Sequence, residues 1–348
     1  MNPKNSLLIL SILLVCACAS GLAQNPPQTP PPGTPPNRPR IEPPKKGVCP
    51  LPILPALPTY ADTSFYAQTN VPHGKVEQVN YKNYPGQDKR LHVYLPPDYD
   101  KNTSARYPVL YLNHGGGDDD SKWSATDPKS GGHAASILDN LIAANKAKPM
   151  IVVMPNTKGC ATLEPSMPGK DDACTQEFLK DIIPLVDKSY RTKASREARA
   201  IAGLSMGGYG ALKFGLKRPD LFCFAGSMSG AFDAPNRITL YDGFGAEELN
   251  PSILQVFGEG ENSLRNQNDI FQLIKNYPAE GISRLPYFYL DCGVEDGFLE
   301  INRNLTDLLK EKKIPFEFHE IEGGHDWNYW DKQIQVILNI VNKIFNRN

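Results

Sequence analysis

From about residue 75 onward, short apolar runs alternate with segments of helical spacing, and no other feature restricts the fold of this chain so strongly. Residues 75–81 and 91–95 alternate apolar and polar side chains, the period of a half-buried strand. Residues 109–112 and 150–154 are continuous apolar runs, which suit central parallel strands covered on both faces. Further strands are expected at 200–204, 222–228, 287–291 and 316–321. Helical spacing marks 135–145, 176–188, 206–216, 299–311 and 332–345. This alternation specifies an α/β domain, with a mostly parallel central sheet and helices on both faces. Residues 230–284 interrupt it and read as an insertion between two core strands, the kind that contributes to a binding cleft.

The chain upstream differs in kind. Lys4, the apolar run 7–15 and the small residues Gly21 and Ala23 read as an export signal over 1–23. The run is too short to span a bilayer as a helix. Val15-Cys16-Ala17-Cys18 resembles a bacterial lipobox, which offers lipid anchoring through Cys18 as the alternative to free secretion or a periplasmic location. Residues 24–58 hold 14 of the 32 prolines and read as an extended, PPII-like linker. The α/β domain is then expected over 59–348. The 37 basic and 38 acidic residues form no basic block, which argues against a nucleic-acid partner. The sequence gives no oligomeric state.

Beyond the signal lie Cys49, Cys160, Cys174, Cys223 and Cys292. Export permits disulfides. Cys160 and Cys174 flank a loop rich in Pro, Gly and Asp and form the preferred pair, while Cys223 and Cys292 lie in apolar runs and read as buried thiols. Without a C-x-x-C pair, a zinc cluster has no support.

The motif Gly203-Leu-Ser205-Met-Gly207-Gly208 follows an apolar strand and opens a helix. That context gives G-x-S-x-G its meaning as a nucleophile turn. A serine on so tight a turn needs glycines where side chains would collide, and it sits above helix N–H groups that favour developing negative charge. The plainer alternative is a serine N-cap beside packing glycines. A serine hydroxyl needs a base. In this strand–nucleophile–helix arrangement the acid and then the histidine follow along the chain. Of six histidines only His319 and His325 lie downstream. His319 is held within a strand, whereas His325 follows Gly323-Gly324 at the strand's C-terminal edge, where α/β sites assemble. His325 is therefore the expected base. The acid should follow the strand 287–291, which offers Asp291, Glu295 and Asp296; Asp291 ends the strand and has a structural alternative, and the residues alone leave Glu295 and Asp296 open.

Leu112-Asn-His-Gly-Gly-Gly-Asp118 follows another strand. Its glycines would let backbone N–H groups reach a substrate oxygen, so the N–H groups of Gly116 and Met206 are the expected oxyanion hole. His114 reads as a structural hydrogen-bonding residue. The run Asp118-Asp-Asp120 reads as a solvated loop rather than a metal site, because no histidine or spaced carboxylate joins it.

Together, the His-Gly-Gly-Gly loop, Gly-Leu-Ser205-Met-Gly-Gly, Asp-Cys-Gly-Val-Glu-Asp296 and Gly-Gly-His325-Asp-Trp-Asn-Tyr-Trp330 resemble the esterase D-like α/β hydrolases, including feruloyl and acetylxylan esterases of carbohydrate esterase family one. The resemblance covers roughly residues 65–346. It implies the α/β-hydrolase fold, Asp296 as the triad acid, and Trp123 and Trp327 near the cleft, with ordinary core packing as the alternative for each tryptophan. It also implies a carboxylic ester hydrolase that needs no metal or organic cofactor; the family does not fix the substrate, and feruloyl or acetyl esters of plant polysaccharide are the expected ones. Rival expectations are a siderophore esterase or an acyltransferase of the same fold, or a non-enzymatic surface binding protein with a relict hydrolase fold.

Overall fold

The continuous apolar runs become the centre of the sheet. In the computed structural model the described residues are 62, 64–84, 86–127, 131–156, 173–236, 239–241, 247–249, 257 and 260–346. The export-signal, lipobox, linker and Cys160–Cys174 expectations fall on residues outside this set, wholly or in part. The described residues all belong to the unit Pro39–Asn348.

Among the described residues ten strands are formed: β1 (Lys75–Lys82), β2 (Asp88–Leu95), β3 (Val109–Asn113), β4 (Ile151–Pro155), β5 (Arg199–Leu204), β6 (Phe224–Met228), β7 (Thr239–Tyr241), β8 (Glu247–Leu249), β9 (Tyr287–Gly293) and β10 (Phe316–Ile321). Eight make one sheet in the order β1-β2-β4-β3-β5-β6-β9-β10, and β7 and β8 pair separately. From β4 to β10 every neighbour is parallel; β2 runs antiparallel to β4 and to β1. Every residue of β3, β4, β5, β6 and β9 is buried, whereas β1 alternates as an edge strand does.

Among the described residues the α-helices are α1 (Ala134–Ala143), α2 (Ala173–Glu177), α3 (Ile183–Ser189), α4 (Met206–Lys217), α5 (Ser263–Asn268), α6 (Ile270–Lys275), α7 (Leu299–Glu311) and α8 (Trp327–Phe345). The strand period of two sends alternate side chains to two cores. On one face Val109, Tyr111, Ile201 and Phe288 pack with Phe214 of α4 and Leu305 of α7. On the other, Leu110, Leu112, Ala202 and Tyr289 pack with Leu138 of α1 and Ile337 of α8. Each fully buried side chain of this size contributes roughly 1.5–3 kcal/mol against exposure, so both faces are strongly specified. This is the α/β-hydrolase architecture that the alternation and the motifs imply.

Three boundaries differ from the sequence reading. The helix expected at 332–345 starts at Trp327, because the Asp326 side chain accepts the Tyr329 N–H at 2.9 Å and caps it. The segment 176–188 is two α-helices joined through a π turn at Phe178–Ile182. Pro184, which carries no N–H, sits in the first turn of the second helix, α3. β6 begins at Phe224, although Cys223 still donates to the Arg199 carbonyl and accepts from Tyr287 N–H. Between β6 and β9 the chain forms the β7–β8 hairpin, α5 and α6, and Ile270 and Ile274 of α6 enter the core. Cys223 and Cys292 are buried free thiols. Among the described residues no helix is long and apolar enough to cross a membrane.

Candidate active site

Ser205 lies between the last residue of β5 and the first of α4, at the C-terminal edge of the parallel strands. Its backbone takes φ 52° and ψ −117°, a conformation that costs a non-glycine residue about 1–3 kcal/mol. The surroundings enforce it. Ser205 N–H donates to the Met228 carbonyl at 2.8 Å, and its own carbonyl accepts from Tyr209 and Ala231. The flanking glycines are required by contact: a Cβ on Gly203 would lie 2.5 Å from the Gly207 carbonyl carbon, and one on Gly207 would lie 2.5 Å from the His114 carbonyl oxygen. The turn is therefore packed against itself and against the glycine loop.

His325 follows β10 on the turn Gly323-Gly324, and Asp296 follows β9. Side chains from three separate loops meet here. His325 Nδ1 lies 2.9 Å from Asp296 Oδ2, and His325 Nε2 lies 3.1 Å from Ser205 Oγ. With Nδ1–H donating to the carboxylate, Nε2 is left as the acceptor for the serine hydroxyl. Asp296 Oδ1 accepts the Phe298 N–H at 2.8 Å. Burial pushes the Asp296 carboxyl up, but hydrogen bonds from His325, Phe298 N–H and Ser229 outweigh it and hold the group below its ordinary value. The Asp296 side chain is inaccessible and that of His325 is 32 % exposed, so the imidazole faces solvent while its orienting partner does not. Phe298 and Trp330 flank the imidazole, with ring centroids at 4.9 and 4.8 Å.

The other acid candidates lie elsewhere. Glu295 is exposed, and its N–H donates to the Gly323 carbonyl. Asp291 is fully buried and accepts the Tyr329 hydroxyl at 2.8 Å. His319 pairs with Glu317 at 2.8 Å, within β10.

The glycine loop leaves β3 and crosses above Ser205. A Cβ on Gly115 would strike Leu204 Cδ1 at 2.5 Å, and one on Gly116 would lie 3.4 Å from Met206 Cγ, so Gly116 and Met206 are neighbours. Met206 is the first residue of α4, where a backbone N–H has no acceptor within the helix. His114 is buried, with Nδ1 2.7 Å from the Gly115 carbonyl, in keeping with a structural role. The acidic run is not a freely solvated loop: Arg90 grips Asp120 at 2.8 Å and Asp119 at 3.0 Å, and Asp120 is buried. Among the described residues no three His, Cys, Asp or Glu side chains are grouped to hold a metal ion.

The two tryptophans part ways. Trp123 is 1 % exposed and donates its indole N–H to the Asn113 carbonyl at 3.0 Å, so it packs beneath the glycine loop and does not line a cleft. Trp327 is half-buried, edge-on to both Trp123 and Trp330, with the Lys122 ammonium 5.6 Å from its ring. Sequence reasoning missed Phe298 and the pairing of His133 with Asp331 at 2.7 Å. The Asp-Gly-Phe spacing after β9 carried the first signal; nothing local carried the second, whose partners are 198 positions apart.

Comparison with known proteins fits this geometry. Residues 82–340 match the family described as "Putative esterase". An endo-1,4-beta-xylanase/feruloyl esterase of Xylanibacter ruminicola is 39 % identical over 187 residues, covering 51 % of this chain and 24 % of that protein. An acetyl esterase of Caldicellulosiruptor saccharolyticus is 32 % identical over 178 residues, covering 48 % of this chain and 60 % of that protein. The chain thus spans less than two thirds of either relative. The solved structure of a ferulic acid esterase superposes with a TM-score of 0.65 at 28 % identity, covering 78 % of this chain and 99 % of that one. A match that runs from the end of β1 into α8, over nearly the whole sheet, places this chain in the esterase family of α/β hydrolases.

Proposed function

We propose that the protein is an exported carboxylic ester hydrolase acting through Ser205, His325 and Asp296 on hydroxycinnamoyl or acetyl esters of plant polysaccharide. The hydrogen-bonded chain from Ser205 Oγ through His325 to the inaccessible Asp296 carries this reading. Ser205 Oγ attacks the ester carbonyl while His325 Nε2 takes its proton. Asp296 holds the imidazole in the required tautomer and stabilises its charged form. The N–H groups of Met206 and Gly116 receive the oxyanion as the tetrahedral intermediate forms. His325 then protonates the leaving alcohol, and water releases the acid by the same route in reverse. The feruloyl and acetyl esterase relatives support the substrate class, and the part-exposed Phe298 ring beside the histidine suits a planar aromatic acyl group.

The test is an initial-rate panel on methyl ferulate, 4-nitrophenyl acetate, acetylated xylan and a longer-chain nitrophenyl ester, each with a Ser205→Ala control. Preference for methyl ferulate supports the hydroxycinnamoyl reading. Activity on acetyl esters alone moves the assignment to deacetylation. Activity on none of them discards the polysaccharide substrate, and near-full activity in Ser205→Ala discards the nucleophile.

A further inference from the structure

A second carboxyl lies under the site and takes no part in the mechanism above. Asp291 is in the C-terminal half of β9, in register with Met228 of β6 and His319 of β10, and fully buried. Its main chain and side chain bridge the pieces that carry the site. The Asp291 carbonyl accepts Ser229 N–H at 2.8 Å, and Ser229 in turn hydrogen-bonds Asp296 and receives the Trp330 indole N–H at 3.2 Å. The Asp291 carboxyl accepts the Tyr329 hydroxyl through Oδ1 at 2.8 Å. Tyr329 stands in the first turn of α8, four residues after His325, and its ring lies where a Cβ on Gly323 would be only 2.7 Å away. Tyr329 thus packs on the very turn that presents His325. Tyr289 also reaches the Asp291 carboxyl, yet neither its hydroxyl nor Asp291 Oδ2 has a well-aligned partner.

We propose that Asp291 is a positioning residue for the ester hydrolysis proposed above, tying the His325 turn, through Tyr329, to the strand that leads into the Asp296 loop. The Tyr289 hydroxyl can donate to the carboxylate or accept from the neutral acid, so full burial of the group decides where the proton sits. A charge there would be buried and close to the Asp296 carboxylate. The titratable groups around it are Tyr289 and Cys292 on its own strand, Tyr329 on α8 and Asp296 on the following loop; its register partner His319 pairs with Glu317. Burial pushes the Asp291 carboxyl up to about 8, the hydrogen bonds of Tyr329 and Tyr289 oppose this, and the Asp296 charge adds to it. The acid is therefore neutral at neutral pH and ionises on the alkaline side.

The sign for stability follows. The native state holds this proton and the unfolded state releases it between the ordinary carboxylate value and about 8, so stability falls as pH rises through that window and levels above it. Asp291→Asn keeps the shape and hydrogen-bonding capacity without the ionisation. The experiment compares kcat, KM and melting temperature against pH for the wild type, Asp291→Asn and Asp291→Leu, with serine-directed phosphonate labelling of each. Wild-type kcat should fall by about tenfold above neutrality, whereas Asp291→Asn should hold its neutral-pH kcat within about twofold and lack that fall. Its melting temperature should exceed the wild type at pH 8, with the gap closing toward pH 4. Asp291→Leu, folded by circular dichroism, should lose about tenfold in kcat with KM changed less than about twofold. An alkaline fall shared by Asp291→Asn, or a loss of more than about tenfold at neutral pH in that variant, overturns the proposal. Absence of labelling at Ser205 in the wild type would break the ester-hydrolase reading itself, whereas intact labelling with superimposable pH profiles breaks only the role given to Asp291.

Discussion

Two of the pairs formed between a histidine and a buried carboxylate look alike at the bond and differ in everything around it. His325 meets Asp296 at 2.9 Å and His133 meets Asp331 at 2.7 Å. The second nitrogen separates them: His325 turns it to the Ser205 hydroxyl, and His133 turns it to the Asp127 carbonyl. Exposure separates them too, at 32 % for the His325 side chain against 3 % for His133. Asp331 additionally accepts the N–H groups of Gly132 and His133, and Tyr66 stacks on the His133 ring at 4.2 Å. That pair is a clasp joining the start of α1 to α8. An Asp–His pair therefore does not define a catalytic base; a hydroxyl on the free nitrogen and a face open to substrate do.

The largest contrast should come from removing each histidine. His325→Ala should lower kcat/KM by about 10⁴–10⁶ with little change in melting temperature. His133→Ala should leave kcat/KM within about tenfold but destabilise the fold by roughly 3 kcal/mol, because it strands a buried carboxylate. Rates with thermal melts of both variants decide this, and a comparable rate loss in the two would erase the distinction. Replacing the acids is next in size: Asp296→Asn should cost about 10⁴ in kcat by upsetting the tautomer. Asp331→Asn should affect chiefly the melt.

The pairs should also respond to opposite ends of the pH scale. Burial lowers the His133 value, yet the Asp331 and Asp127 contacts outweigh it and raise it. Its stabilisation is fully present below the ordinary histidine value and is lost as pH rises through the raised one. The Asp296 carboxyl is held low, so its contribution is present above the ordinary carboxylate value and lost only as pH falls through the lowered one. The melting-temperature gap between wild type and His133→Ala should accordingly narrow as pH rises; a constant gap would remove the charge from the clasp. The smallest expected effect is that of Trp327→Ala, a rise in KM for methyl ferulate of about three- to tenfold at near-constant kcat. An unchanged KM would assign Trp327 to packing against Trp123 alone.

Much of this was legible in the chain. Continuous apolar runs gave β3, β4 and β5 because strands buried on both faces have no polar side to alternate with. Gly203, Ser205 and Gly207 announced their turn because backbone there approaches backbone. The choice between Glu295 and Asp296 was closed to periodicity, since both follow the same strand and only the turn of the chain buries one and exposes the other. The start of α8 was hidden by its aromatic first turn, which an aspartate cap made helical. Trp123 was ambiguous because an indole can serve a core and a cleft equally well until its N–H is seen to bind the Asn113 carbonyl. The His133–Asp331 clasp joins residues far apart in sequence, and no local pattern reports such a contact.

The central claim is that Ser205 is a nucleophile activated by His325 and not by any other histidine. Serine-directed phosphonate labelling, followed by intact mass and peptide mapping, tests it on the wild type, His325→Ala and His133→Ala. The account predicts a single adduct on Ser205, formed at similar rates in the wild type and His133→Ala and at least about a hundredfold more slowly in His325→Ala. An adduct on another residue, or equal labelling rates with and without the His325 imidazole, would contradict it.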